Sequence, residues 1–310
     1  MRHFLGFLLR RVAWLLATLW LVFTISFFLM RMIPGGPLSS DQATHPLILE
    51  RLEAKFGLAD PVATQYWRTL KDLVLRFDFG PSFKLLDYSV NEILAQGLPR
   101  SLALGAVALL IALLLGVTAG VVSALRRGGF LDRALMLAAT IGIALPNFVI
   151  ASILILIFVI EVPLLPAAGW GGYRYLILPA VCLGLPFAAY IARLTRTGML
   201  DVLGQDWIRT ARAKGLKEQR IIFGHALRGG LLPVASYLGP AVAGILTGSL
   251  VIEKIFAIPG IGTYFVQSAL NRDYTLSMGC VLLYTALVSS MNLLVDISYT
   301  VLDPRVELDG

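Results

Sequence analysis

The sequence predicts an all-α polytopic membrane protein with six transmembrane helices. Three observations carry that expectation. Apolar residues make up 57% of the 310 and charged residues only 15%, with a mean hydropathy of +0.80. That apolar share lies well above the usual composition of soluble domains. Six runs without a charge meet or nearly meet the roughly 20 residues that cross a bilayer core. The basic residues collect between particular runs, as they do on one side of a membrane.

The first run, Val12–Met30, follows Arg10 and Arg11. It exceeds the roughly 7–15-residue apolar core of a signal peptide and no A-x-A site follows, so it reads as an uncleaved span. Pro34, Gly35, Gly36 and Pro37 stop the helix. Residues 33–99 then form the one sizeable polar insert. Leu47–Phe56 and Pro61–Phe77 have helical texture. FGPSFK (Phe79–Lys84) and DYSVNE (Asp87–Glu92) read as a loop leading into a short amphipathic helix. An insert of this size cannot bury a robust core of its own and is expected to pack on the spans. The organisation expected is residues 1–32 as N-terminus and first helix, 33–99 as insert, and 100–310 as a five-helix core.

The remaining spans are Ser101–Leu125, Ala134–Ile160, Tyr175–Ala192, Gly229–Ile252 and Tyr274–Val295. Leu145-Pro146-Asn147 interrupts the third span, as a fixed kink or as a hinge. The fourth is the shortest and holds Pro179 and Pro186, which predicts a broken or kinked helix there. Gly116–Gly120 and Gly244–Gly248 are G-x-x-x-G patterns, serving helix packing within the chain or a subunit contact. EKIFAIPGIG (Glu253–Gly262) reads as an ordinary tight connection or a re-entrant lining loop. Asn147, Thr247, Ser249, Glu253, Pro259 and Gly260 are the candidates for a pathway or gate. Cys182 and Cys280 sit in apolar runs and read as small buried hydrophobes, not a disulfide.

Between the fourth and fifth spans lies QDWIRTARAKGLKEQRIIFGHALRGGLLP, Gln205–Pro233, which overlaps a cytoplasmic segment expected over 197–230. Arg209, Arg212, Lys214, Lys217, Arg220 and Arg228 stand in it against Asp206 and Glu218. At about 2.5–3.5 kcal/mol per mid-bilayer charge, this stretch belongs in water beside the membrane. Gly215 divides it. Before the glycine, Trp207, Ile208 and Ala211 make one apolar face; after it, Ile221, Ile222 and Leu227 make another. A short amphipathic helix tethered between spans suits a groove on a partner protein.

With the N-terminus inside, the inner segments hold 15 of the 26 basic residues and seven of the 19 acids, so the net charge of +7 is a topology signal and does not point to nucleic acid. No G-x-x-x-x-G-K-[ST] occurs, which excludes a P-loop. G-x-S-x-G and H-E-x-x-H are also missing, and His3, His45 and His225 lie in separate segments. The spans offer almost no intramembrane charge for a coupling ion. Asp296 is the one strong candidate, either for that role or as a helix-end acid paired with a base.

Gln205–Pro233 resembles the EAA loop of ABC importer permeases, whose pattern is E-A-A-x3-G-x9-I-x-L-P. Gly215 matches the glycine, Ala211 the third position and Leu227 the later leucine. Arg209, Thr210, His225 and Arg228 depart from the pattern as the peptide-permease branch does. RTARAKG (Arg209–Gly215), HALR (His225–Arg228) and LLP (Leu231–Pro233) are similar to that branch, as are ALNRDY (Ala269–Tyr274), IPGIG and LVDISYTVLDPR (Leu294–Arg305). FGPSFK and DYSVNE look like the first permease subunit of oligopeptide importers.

The resemblance implies the six-helix type I ABC importer permease fold with a periplasmic insert, in a bacterial inner membrane, with both termini cytoplasmic. It implies a homologous second permease, two ABC ATPase subunits, a periplasmic peptide-binding protein, a peptide substrate and membrane lipid as partners, and no nucleic acid. The chain is then no enzyme and binds no cofactor; ATP and Mg belong to the ATPases. Trp207, Ile208, Arg209, Thr210, Ala211, Arg212, Ala213, Lys214 and Gly215 become the coupling helix, with Trp207, Ile208, Arg209, Ala211 and Ala213 touching the ATPase. Cargo alternatives are nickel chelates, glutathione and peptide antibiotics. A self-contained ion-driven carrier and a non-transporting membrane assembly protein are the competing functions.

Overall fold

The computed structural model describes residues 2–33, 36, 53–54, 56–85 and 87–302, without the side chains of residues 2–5, 247–248, 295–296 and 298–302. The Pro34–Pro37 stop, most of the helix expected over Leu47–Phe56, His45 and the terminal Asp303–Arg305 lie outside the described residues, as do the side chains of Thr247 and Asp296. The helices are α1 (Arg2–Met32), α2 (Val62–Arg76), α3 (Val90–Leu125), α4 (Phe130–Ala144), α5 (Asn147–Ile155), α6 (Tyr173–Leu203), α7 (Asp206–Ala213), α8 (Arg220–Gly230), α9 (Leu232–Ile255), α10 (Ile261–Leu270) and α11 (Tyr274–Leu302). A π-helical turn, Leu156–Glu161, extends α5, and Arg220–Ala226 of α8 is also wound as a π-helix.

Among the described residues, four helices are long and apolar enough to cross a membrane: α1, α3, α6 and α11. Two bent pairs complete six. The pair α4 and α5 turns by 110° and the pair α8 and α9 by 51°. Both bends follow from proline. Pro146 pushes Leu145 into extended backbone, φ −79 and ψ 129, which ends α4. Pro233 stands at the start of α9, where its missing N–H costs nothing. The third span is therefore folded far more sharply than a simple kink. Of the break or kink expected in the fourth span, the break does not occur: α6 runs on through Pro179 and Pro186 for 31 residues. Its neighbours hold it, since more than half of its most apolar window is buried (56%).

The chain forms two compact units. One comprises Met1–Ser101 with Pro259–Ser290. In it, α2 of the insert packs on the first span, as expected. Phe23 and Phe27 of α1 meet Tyr66 of α2 with ring centroids 5.3 Å apart, and Thr24 shares a 2.9 Å hydrogen bond with the Tyr66 hydroxyl. The Arg31 guanidinium lies over the Phe27 ring and donates to Gln65 Oε1 at 2.8 Å. Asp273, 1% exposed, fastens the FGPSFK loop by accepting from Ser82 Oγ, from Phe83 N at 3.2 Å and from Lys84 N at 3.3 Å. DYSVNE opens no separate short helix. Ser89 and Glu92 form a reciprocal capping box, 2.9 and 3.2 Å, at the head of α3, which continues past Pro99 and Arg100 into the second span.

The other unit comprises Leu102–Ile258 with Met291–Asp309. Its core gathers Leu104 and Ala108 of α3, Ile150 of α5, Leu183 of α6 and Ile245, Ile252 and Phe256 near the end of α9. Gly116 and Gly120 bring α3 against α6: a Cβ on either would stand within 2.7 Å of the Ala188 and Ala192 carbonyls. This G-x-x-x-G therefore serves packing within the chain.

Candidate functional site

The segment after α6 is built as a short helix, a glycine turn and a returning helix. In α7, Thr210 caps back onto the Asp206 carbonyl at 3.0 Å and Arg209 reaches the Asp206 carboxylate at 3.3 Å. The helix ends in a Schellman turn. Gly215 N–H donates to Arg212 O at 2.9 Å and Leu216 N–H to Ala211 O at 3.3 Å, with Gly215 at φ +76. The glycine was expected to split the segment, and this backbone conformation is why it can. Arg212 closes the turn with two hydrogen bonds to Glu218, 2.7 and 3.3 Å. The Arg212 guanidinium holds the Glu218 carboxyl below its ordinary range, and Glu218 in turn raises Arg212.

One side of this segment is locked to the spans. Ile208 is 0% exposed and packs in a cluster with Val121 and Ala124 of α3, Met199 and Val202 of α6, and Ile221, Ile222 and Ala226 of α8. Ala211, Leu216 and Leu227 border the same cluster. Gly198 of α6 lies against Gly230 of α8 so closely that a Cβ on Gly198 would stand 2.3 Å from the Gly230 carbonyl oxygen. Ile208 and Ala211 before Gly215 and Ile221, Ile222 and Leu227 after it thus form one inward surface, whereas Trp207, expected on the same face, lies outside it. Ile208 corrects the expectation of partner contact: the chain's own core already covers it. The opposite side is open. Trp207, Arg209, Thr210, Arg212, Ala213 and Lys214 are exposed, and Trp207 meets the His225 ring edge-on at 6.4 Å.

Of the pathway candidates, Asn147, Ser249 and Glu253 lie in one unit and Pro259 and Gly260 in the other. Asn147 opens α5 and its carbonyl accepts from Cys182 Sγ at 3.1 Å. Ser249 is buried and bonds the Leu246 carbonyl of its own helix at 2.9 Å. Glu253 is fully buried near the end of α9, and its carbonyl accepts from Ile258 N at 2.8 Å. Pro259 and Gly260 belong to the unit that contains α10. There Pro259 O accepts from Arg100 at 2.9 Å and Gly260 caps α10, a ten-residue helix too short to cross a bilayer. The IPGIG stretch is thus the entrance to a short helix, with Ser101 Oγ accepting from Ile261 N at 2.9 Å.

Residues 116–308 match the family described as binding-protein-dependent transport system inner membrane component, and residues 4–104 match its N-terminal counterpart. The chain belongs to this family. Over 304 residues it is 48% identical to the oligopeptide transport system permease protein OppB of Salmonella typhimurium, covering 97% of this chain and 99% of that one. It is 47% identical to the dipeptide transport system permease protein DppB of Bacillus subtilis over 302 residues, 97% and 98% of the two chains. An inward-facing structure of the MetNI methionine ABC transporter superposes with a TM-score of 0.57 at 19% identity, over 68% of this chain and 96% of that one. The shared fold is that of type I ABC importer permeases.

This chain is accordingly a multi-pass inner membrane subunit of a binding-protein-dependent ABC importer, and it is not itself an enzyme. Family permeases work with separate ATPase and binding-protein components. Two features of the inner-membrane component escaped the sequence reading. Phe223 on α8 is 66% exposed, a large apolar ring beside a basic surface; an aromatic inside so charged a stretch was the available signal. Asp132 of α4 and Arg196 of α6 form an ion pair flanked by Ser123. In the sequence both count only among the charges of the inner segments, because nothing local reveals their pairing.

Proposed function

We propose that this chain is a peptide-conducting permease subunit of an ATP-driven importer and that Gln205–Gly230 receives the mechanical work of a separate ATPase. The observation that carries this is the two-sidedness of α7. Its inward face is fixed to α3, α6 and α8 through Ile208, and its outward face offers Trp207, Arg209, Thr210 and Ala213 with Phe223 exposed on α8. A helix fixed in this way transmits a push to the spans without yielding. Trp207 and Phe223 are suited to fill a groove, and the arginines and Lys214 to face acids.

The working complex on this reading has a homologous second permease, two ATPases carrying ATP and Mg, and a periplasmic peptide-binding protein. Peptide cargo is supported by relatives at 46–48% identity, which are oligopeptide and dipeptide transport permeases. Both termini and α7 face the cytoplasm, and residues 33–99 face the periplasm, in keeping with the bias of basic residues. Asn147, Ser249 and Glu253 are kept as gate residues in one unit, Pro259 and Gly260 in the other. Thr247 remains a gate candidate from sequence.

The test is peptide uptake and ATPase activity of the complete importer in vesicles. Arg209→Glu with Phe223→Asp should leave assembly of the two permeases intact, lose ATPase subunits in pull-down and abolish uptake. Retained ATPase subunits and normal uptake in that variant would refute the coupling role. Uptake by the chain alone, driven by a proton gradient, would refute the importer reading as a whole.

A further inference from the structure

An open apolar groove of about 500 Å³ runs between α3, α4 and α6. Its walls follow one helical stripe on each element: Leu115, Thr118 and Val122 on α3, Leu131 to Gly142 on α4, and Leu185 to Ala192 on α6. Ala119, Ala138, Ala139, Ala188 and Ala189 leave its floor shallow. Thr118 spends its hydroxyl on the Leu114 carbonyl at 2.5 Å, so the groove keeps no free polar group there.

One end of this groove is basic. Arg126 lies one turn beyond Val122 in the same stripe, its N–H still bonded to the Val122 carbonyl at 3.0 Å. Arg193 lies one turn beyond Ala189 on α6. Both are exposed, as is Arg127, and among the described residues none of the three has an ion-pair partner. Arg133 instead bonds the Gly128 carbonyl at 3.1 Å, and Arg196 is taken by Asp132. The same end of α3 carries Val121 and Ala124, which pack with the α7 segment. The stripes from Leu115 to Val122 and from Leu131 to Gly142 extend about 10 and 16 Å, against a leaflet of roughly 15 Å, half the hydrocarbon core.

We propose that this groove holds one acyl chain of an anionic phospholipid from the leaflet on the α7 side, with the phosphate between Arg126 and Arg193. The apolar stripes are of one leaflet's order of length, with Arg126 one turn beyond Val122 on α3 and Arg193 directly after Ala192, the last α6 residue of the groove. An anionic headgroup answers two exposed guanidiniums; a zwitterionic one answers them less well. A lipid seated there bridges α3, α4 and α6 at the end that carries α7. It therefore bears on the stiffness of the lever. The proposal needs the chain to span a membrane but not that α7 docks an ATPase.

The complete importer, released from vesicles of equal phosphatidylglycerol and phosphatidylcholine, would be weighed by native mass spectrometry. Wild type should retain phosphatidylglycerol about tenfold over phosphatidylcholine. Arg126→Gln with Arg193→Gln should remove that preference. Thr118→Leu with Ala138→Leu, both at exposed positions, should fill the groove and displace the lipid with the arginines intact. Equal retention of both lipids by wild type, or unchanged retention in both variants, would overturn the proposal. So would efficient crosslinking of an Ala138→Cys variant to the second permease subunit, which would give the groove a protein occupant. Loss of uptake without change in lipid retention would bear on the coupling reading alone.

Discussion

Arg196 on α6 meets Asp132 on α4 in a two-pronged ion pair, Nε to Oδ1 at 2.8 Å and Nη2 to Oδ2 at 2.9 Å. Ser123 of α3 donates to the same carboxylate, and Gly128 N–H donates to Oδ2 at 2.8 Å. Arg196, Ser123 and Gly128, from two helices and the turn between α3 and α4, thus meet at one nearly buried acid of α4. The contact fixes the register of α3, α4 and α6 at the end from which α7 projects. Asp132→Asn or Arg196→Gln alone strands the remaining partner. Each single change is expected to lower the Tm of the purified importer by several degrees, and Asp132→Leu with Arg196→Met by less than the sum. Additive losses in a thermal-shift measurement would show that the two act separately.

The approach of Gly198 to Gly230 leaves no room for a methyl group, with 2.3 Å from a built Cβ to the carbonyl oxygen. Gly198→Ala must push α8 away from α6, at about 1–3 kcal/mol by analogy with overpacked cores. Faster amide exchange over Arg220–Gly230 is expected. Gly224→Ala is the control, since its nearest neighbour is Arg220 Cγ at 3.9 Å. Equal exchange in the two variants would contradict the close-contact account.

Gly215 presents the reverse case, open space but φ +76. A β-substituted residue there is strained by about 1–2 kcal/mol, and asparagine bears that conformation best. Gly215→Val should loosen the Schellman turn and lower peptide uptake, whereas Gly215→Asn should keep most of it. Uptake assays on the two variants, at matched membrane levels, separate backbone strain from side-chain bulk.

The Arg212–Glu218 pair makes the turn sensitive to acid. Glu218 has a folded value below its ordinary one, so its contribution is fully present above the ordinary glutamate range and lost as pH falls through the folded value. Both side chains are about half exposed, 44% and 53%, so the effect is small. Amide exchange at Gly215 and Leu216, corrected for its intrinsic pH dependence, should stay protected from neutrality down to the glutamate range and rise only below it. Glu218→Gln should remove that dependence.

Much of this architecture was legible in the chain because lipid selects residues one at a time. Six uncharged runs mark six crossings, and the crossing count survives once α4 with α5 and α8 with α9 are each taken as one bent span. Gly215 was legible for a similar reason: a lone glycine in a charged helical stretch calls for a left-handed turn. Pro146 was legible as an interruption, but its 110° consequence was not. Pro179 and Pro186 do not break α6, because the neighbours that bury it hold it together. Asn147, Thr247, Ser249 and Glu253 read as pathway candidates by polarity and Pro259 and Gly260 by their turn; Ser249 bonds a carbonyl of its own helix.

The sequence by itself determined where the chain meets lipid, which segment stands in water and to which family it belongs. Each of these follows from local chemistry: transfer free energies, charge placement and a short motif. Tertiary structure decided which side of α7 is free, that Ile208 is an anchor, and that Arg196 answers Asp132 across 64 positions. Those outcomes depend on which faces meet when helices pack, and residues far apart in the chain are brought together only then.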